Sequence, residues 1–168
     1  MNRTQAAAGS ALFFVLAPGM VAGLVPWWIT GYRLPGVDSV LGWTSVLLGF
    51  GLVAAGLVVL VQAFFRFAAV GRGTPAPVAP TEYLVVSGSY RYVRNPMYVA
   101  VVTIIAGQAL AFRSIGLLAY AILVWLMMAA FVRSYEEPVL AQRYGESYAR
   151  YRRSVRAWIP RLRPWTGS

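Results

Sequence analysis

Long uncharged apolar runs, separated by short polar and turn-forming segments, set the pattern of this chain. The first extends from Ala6 to Ile29 without a charge, enough to span a hydrocarbon core of about 30 Å. Pro18-Gly19 in its middle predicts a kink. Arg3 ahead of an apolar stretch also fits a cleaved signal peptide. The length of the run and the lack of a clean small-x-small exit favour an uncleaved anchor. Trp27, Trp28 and Tyr32 have the character of an aromatic belt at the far interface. After the turn-rich connection Gly31–Val40, a second span is expected over Leu41–Phe65. Gly49, Gly51 and Gly56 inside it permit close helix contact, and Arg66 ends it, snorkelling to the interface.

Gly71–Pro80, with Pro75, Pro77 and Pro80, reads as an extended linker. Thr81–Val86 is β-branched and aromatic, suited either to local pairing or to lying along the interface. Asn95-Pro96 marks a helix start, because Asn is a preferred N-cap and Pro is favoured at the first helical position. The helix it opens, Met97–Phe112, is short for a span and carries Gln108 in its apolar run, as a helix–helix hydrogen-bonding group or part of a pocket. Arg113-Ser114 is a tight turn, and a fourth helix, Ile115–Tyr135, completes an antiparallel hairpin. Beyond Glu136-Glu137-Pro138, the residues Tyr148, Tyr151, Val155 and Trp158 recur at helical spacing, with Arg150, Arg152, Arg153 and Arg156 between them. That pattern predicts an amphipathic helix on the membrane surface. The expected architecture is therefore all-α integral membrane: four transmembrane helices and a C-terminal interfacial amphipathic helix. Residues 1–168 are expected to form a single membrane domain, with two N-terminal spans over 1–70 and a second half over 71–168 that carries the helical hairpin and the basic C-terminal helix.

Composition agrees with the pattern. Of 168 residues, 59% are hydrophobic and only 12% charged, and mean hydropathy is +0.61. A soluble domain carries about twice that share of charge. All fifteen cations are Arg, and Lys, His and Cys are absent. Schiff-base lysines, imidazole bases, thiolate nucleophiles and the usual zinc sites are thereby excluded. The net charge of +10 points to an anionic lipid surface rather than to nucleic acid. With four spans, Arg33 and Arg113 fall on one side and the other thirteen arginines on the other. The positive-inside rule then puts both termini in the cytoplasm, the chain lying in the cytoplasmic membrane.

The candidate chemistry lies at that face. Arg91 and Arg94 ahead of a helix N-terminus suit an anion. Glu136 and Glu137 sit side by side, where mutual repulsion calls for a positive partner. Arg133, three or four residues back, a cationic ligand, or simply the start of another helix at Glu137-Pro138 would each answer it. A helical hairpin brings the two groups together. A ligand with a carboxylate, an ammonium and a sulfonium fits across them, and S-adenosylmethionine has all three. A glycine-rich Rossmann fingerprint is missing.

Gly-x-Tyr-Arg-Tyr-x-Arg-Asn-Pro-Met-Tyr (Gly88–Tyr98), Glu-Glu-Pro-x-Leu (Glu136–Leu140) and Tyr-Gly-x-x-Tyr-x-x-Tyr (Tyr144–Tyr151) together resemble the integral-membrane isoprenylcysteine carboxyl methyltransferase and phospholipid methyltransferase superfamily. The resemblance covers about residues 81–160. It implies that Tyr90, Arg91, Arg94, Asn95 and Tyr98 line a cytosolic S-adenosylmethionine site, that Glu136 and Glu137 complete it, and that Tyr148 and Tyr151 help close it. Arg94 and Glu137 are the catalytic candidates, and no metal is implied. Asn95 stands where carboxyl methyltransferases typically have His, so the sequence looks more like the phospholipid branch and its bacterial members. Membrane lipids and a lipophilic acceptor are the expected partners. Methyl transfer to a carboxylate needs no base, whereas an amine must lose a proton to Glu136, Glu137, a tyrosine or water. Two other functions fit the scaffold: an NADPH-dependent reductase of the sterol-reductase type, and a non-enzymatic lipid-binding scaffold.

Overall fold

The computed structural model describes residues 16–71, 84 and 86–167. Among them the regular structure is helical throughout, without a strand. Helix α1 covers Leu16–Thr30, α2 Val40–Gly71, α3 Pro96–Ala111, α4 Ile115–Phe131 and α5 Glu137–Ser154. A 3₁₀ turn at Gly88–Arg91 precedes α3. The start of the first predicted span and the linker at 72–80 lie outside the described residues.

Local chemistry accounts for the helix boundaries. The Ser39 hydroxyl accepts the Gly42 N–H (3.1 Å), and Ser114 accepts the Leu117 N–H (3.2 Å), both as N-caps. Pro96 occupies the first turn of α3, as expected, but Asn95 does not cap it with its side chain. Its Nδ2 donates instead to the Ala157 carbonyl at 3.2 Å.

The irregularity in α1 lies at a π turn, Met20–Leu24, just before Val25-Pro26; the backbone at Gly19 is ordinary helix. Proline has no N–H to offer the carbonyl four residues back and crowds it. For Pro26 that carbonyl is Ala22, and Gln108 Nε2 from α3 donates to it at 2.7 Å. The Tyr120 hydroxyl takes the neighbouring Val21 carbonyl at 3.0 Å. Gln108 therefore joins helices.

The same device recurs at Pro138. A second π turn, Val132–Glu136, precedes Glu137-Pro138 and carries α4 into α5 without a break. The fourth helix thus does not end at the glutamate pair. Glu137 is the first residue of α5, but its N–H is bonded to the Val132 carbonyl through the π turn, so no free helix N-terminus meets its charge.

α3 is the central helix. Val101, Ile104 and Ile105 are buried in a core with Leu60 of α2 and Ala121 and Val124 of α4. α2 and α3 approach until their backbones nearly touch. A Cβ on Gly49 would lie 2.6 Å from the Gly107 carbonyl oxygen, and one on Gly56 would lie 2.6 Å from Ile104 Cγ1. Gly51, the third glycine of the predicted set, faces open space. The outward faces stay apolar and exposed, as at Leu47, Leu48, Leu118 and Met127. Two stretches, Val40–Arg66 and Ile115–Ser154, are long and apolar enough to cross a membrane; Leu16–Thr30 and Pro96–Ala111 are shorter apolar helices.

The bundle has two ends. At one, Tyr32 stacks on Phe112 (5.5 Å) and Arg113 Nε reaches Ser45 (3.3 Å). At the other lie the Gly88–Arg91 turn, the start of α3, α5 and the tail. Here the structure departs from the expected surface helix. α5 ends at Ser154, before Trp158. Tyr148, Tyr151 and Val155 are only 3%, 3% and 1% exposed, packed with Leu84, Val86 and Trp165. The aromatic stripe faces the protein. Residues 156–165 then run back along the motif as a strap. Arg94 N–H donates to the Arg156 carbonyl (2.9 Å), Arg161 N–H to Tyr92 (2.9 Å) and Trp165 N–H to Arg91 (2.9 Å).

Candidate functional site

The start of α3 and the α4–α5 junction meet at the motif end, as the hairpin requires. Arg94 Nη1 lies 3.0 Å from Glu137 Oε1, and the two side chains are only 11% and 13% exposed. Arg152 approaches the other oxygen of Glu137 at 3.1 Å. Glu137 is thus held between two guanidiniums, neither of them Arg133, whose side chain is exposed. Arg94 also donates to the Tyr148 hydroxyl (3.2 Å), while its Nε is buried without a hydrogen-bond partner.

Glu136 is placed differently. It accepts a hydrogen bond from the Tyr98 hydroxyl. It lies just past the apolar run of α4, and burial pushes its carboxyl above the usual range. The Tyr98 bond works against that shift, and the charge of Glu137 adds to it. Burial likewise raises Tyr90, Tyr148 and Tyr151 above the usual phenol range. At neutral pH these phenols keep their protons. The Tyr151 hydroxyl donates to the Tyr90 carbonyl at 2.7 Å, tying α5 to the motif turn.

The structure therefore brings Tyr90, Arg94, Asn95, Tyr98, Glu136, Glu137, Tyr148 and Tyr151 to one end of the bundle. Arg91 is set apart. Its Nε donates to the Trp165 carbonyl (2.7 Å), and it lines a cavity of about 850 Å³ toward α2. A smaller hollow of about 420 Å³ lies along α5, lined by Gly145, Tyr148 and Arg152. Gly145 interrupts α5 with φ +51° and ψ −125°, a backbone conformation essentially confined to glycine.

Sequence reasoning missed Arg152, fifteen positions from Glu137 in a tail with many arginines. It also missed the aromatic group beside Tyr98: Trp158 lies 6.5 Å from its ring, and Trp125 meets Trp158 edge-on at 6.2 Å. The even spacing of Trp158 with Tyr148 and Tyr151 was a signal, but it suggested a continuous helix.

Apolar outer faces and a polar cluster buried at one end define a helical membrane protein with a candidate site at that end. The family described as phospholipid methyltransferase matches residues 44–147, more than half of the chain, and the protein belongs to it. No curated protein matches the chain. Membership implies a membrane methyltransferase. The match starts inside α2, earlier than the three motifs suggest, and stops one residue before Tyr148.

Proposed function

We propose that the protein is an S-adenosylmethionine-dependent methyltransferase of the cytoplasmic membrane, acting at the cytosolic face on a lipophilic or lipid acceptor. The observation that carries this reading is the meeting of Arg94 with Glu137 and of Tyr98 with Glu136, across two elements far apart in sequence. The residues fit the cofactor's chemistry. Arg94 Nε is a buried donor with no partner, suited to a carboxylate, and the glutamates suit cationic groups. Arg94, Asn95, Glu136 and Glu137 would hold it, with Tyr90, Tyr98, Tyr148 and Tyr151 around them. When bound, S-adenosylmethionine supplies an electrophilic methyl group on a sulfonium.

The protein's own contribution is placement and exclusion of water. Tyr148 and Tyr151, fixed by the strap and by Arg94, cover the cluster. Tyr98 orients Glu136 through Oε1. Glu136, with its affinity for a proton raised by burial, is the group best suited to accept one from an amine acceptor. Arg94 and Glu137 position the reactants through their shared ion pair.

Isothermal titration of the detergent-solubilised protein with S-adenosylhomocysteine tests this. Wild type is expected to bind, and Glu136→Gln with Glu137→Gln to lose binding while still inserting and remaining monodisperse. Absence of binding by folded wild type at millimolar ligand would sink the reading. Unaltered binding by the double variant would remove the glutamates from the site.

A further inference from the structure

Partnering a cationic ligand requires a carboxylate oxygen to spare, yet both oxygens of Glu137 are taken. Arg94 lies 3.0 Å from Oε1 and Arg152 3.1 Å from Oε2. A further cation can reach Glu137 only where one guanidinium gives way.

The two arginines are not equally fixed. The Arg94 side chain is largely buried and donates to the Tyr148 hydroxyl at 3.2 Å, and its N–H is held by the Arg156 carbonyl at 2.9 Å. The Arg152 side chain is 56% exposed, and Glu137 is its ion-pair partner among the described residues. Arg152 arrives from the solvent side because α5 folds back on itself. Fifteen residues of straight helix would set the Cα atoms of Glu137 and Arg152 about 22 Å apart, more than the two side chains can bridge. The break at Gly145, φ +51° and ψ −125°, turns the second half of α5 back toward the first. The hollow of about 420 Å³ at this bend is lined by Arg152 itself, with Gly145 and Tyr148. It gives the guanidinium room to withdraw while Tyr148, 3% exposed, stays in place.

We propose that Arg152 is a displaceable counter-ion, which competes with the cationic group of the ligand for Glu137 Oε2 and swings into the hollow when the ligand takes that oxygen, while Arg94 stays on Oε1. This regulation of the site rests on the S-adenosylmethionine reading. It lets a carboxylate that is largely buried keep a partner at all times, and it makes each ligand pay for the exchange. An ion pair with one exposed partner is weak, so the exchange is easy.

Isothermal titration of the full chain in detergent with S-adenosylhomocysteine, which carries an ammonium, tests the competition. Arg152→Gln is expected to bind about fivefold more tightly than wild type, as when Arg152 leaves Oε2 free about a fifth of the time. Arg152→Lys keeps a competing cation and is expected to stay nearer wild type. Arg150→Gln removes a charge exposed on the same helix and is expected to change affinity less than twofold. 5′-Methylthioadenosine lacks the ammonium and is expected to gain nothing from Arg152→Gln. Melting temperature and gel filtration establish that each variant is folded. A purely structural Arg152 would weaken binding when lost, and so would one that clamps the ligand. Equal or weaker binding by folded Arg152→Gln therefore overturns the proposal alone, as does an equal gain in Arg150→Gln or with 5′-methylthioadenosine. Absence of binding by folded wild type and folded Arg152→Gln overturns the cofactor reading and the competition with it.

Discussion

Glu137 shows how one side chain decides between readings that its sequence neighbourhood leaves open. A carboxylate beside another carboxylate needs positive charge, and the nearest arginine along the chain is Arg133. The structure supplies Arg94 and Arg152 instead, one from the motif ahead of α3 and one from the last turns of α5. Removing the charge of Glu137 would leave two guanidiniums close together in a largely buried place. Glu137→Gln is therefore expected to destabilise the protein by about 1–3 kcal/mol, and Arg133→Gln by under about 0.5 kcal/mol. Thermal unfolding in detergent, followed by near-ultraviolet circular dichroism, compares them; equal losses would place the partner of Glu137 elsewhere. The types and the proximity of these residues were legible in the sequence, because a hairpin must bring its two ends together. The pairing was not. It depends on where Arg152 lands after the kink at Gly145, and nothing in the spacing of a tail with many arginines reports that.

Helix positions could be read from apolar runs and caps, but how the helices touch is a matter of which small residues face one another. Gly49 and Gly56 are two turns apart and meet α3, whereas Gly51 points away. At Gly49 the obstruction is the α3 backbone itself, at 2.5 Å from Ala111 N and 2.6 Å from the Gly107 carbonyl, so no side chain can yield. Gly49→Ala is expected to destabilise by about 1–3 kcal/mol, the cost of overpacking. Gly51→Ala, in open space within a helix, is expected to be neutral or slightly stabilising by up to about 1 kcal/mol. Melting temperatures of the two variants in one detergent check this, and matching shifts would contradict the close approach. The prolines carry a similar lesson. Pro18 is the one that interrupts the predicted first span, yet the π turns precede Pro26 and Pro138. A turn of this kind resolves the clash of the proline ring with the carbonyl behind it and keeps the helix going. That outcome depends on a partner for the freed carbonyl, and for Ala22 the partner is Gln108 on another helix. Local sequence marks the proline; only the assembled bundle shows how it is accommodated.

At the scale of the whole molecule, charge is divided between the two ends of the bundle. Of the thirteen arginines among the described residues, Arg33 and Arg113 belong to the end where Tyr32 meets Phe112, and the other eleven to the end that holds the motif and the tail. The positive-inside rule applied to this division supports the proposed orientation, with the motif end toward the cytoplasm. Among the described residues, two helical stretches reach spanning length on their own. α3, with 16 residues, is about 24 Å long at 1.5 Å per residue, short of a core of about 30 Å. It is nevertheless the most buried helix, in contact with α2 on one side and α4 on the other, so its length is set by its neighbours as much as by lipid. If α2 and α4 each cross, α3, which joins their opposite ends, must pass through the same layer, with the bilayer thinned around it or its flanking turns drawn in. The absence of cysteine makes this directly measurable with single substitutions. Leu34→Cys and Ile115→Cys, both exposed at the sparsely charged end, are expected to react with a membrane-impermeant maleimide on intact cells. Glu146→Cys, exposed on α5, is expected to react only after the membrane is opened. Labelling of Leu34→Cys and Ile115→Cys from opposite sides would contradict the four-span arrangement. Labelling of Glu146→Cys from outside would turn the site away from the cytoplasm, and with it from the compartment in which a soluble methyl donor is made.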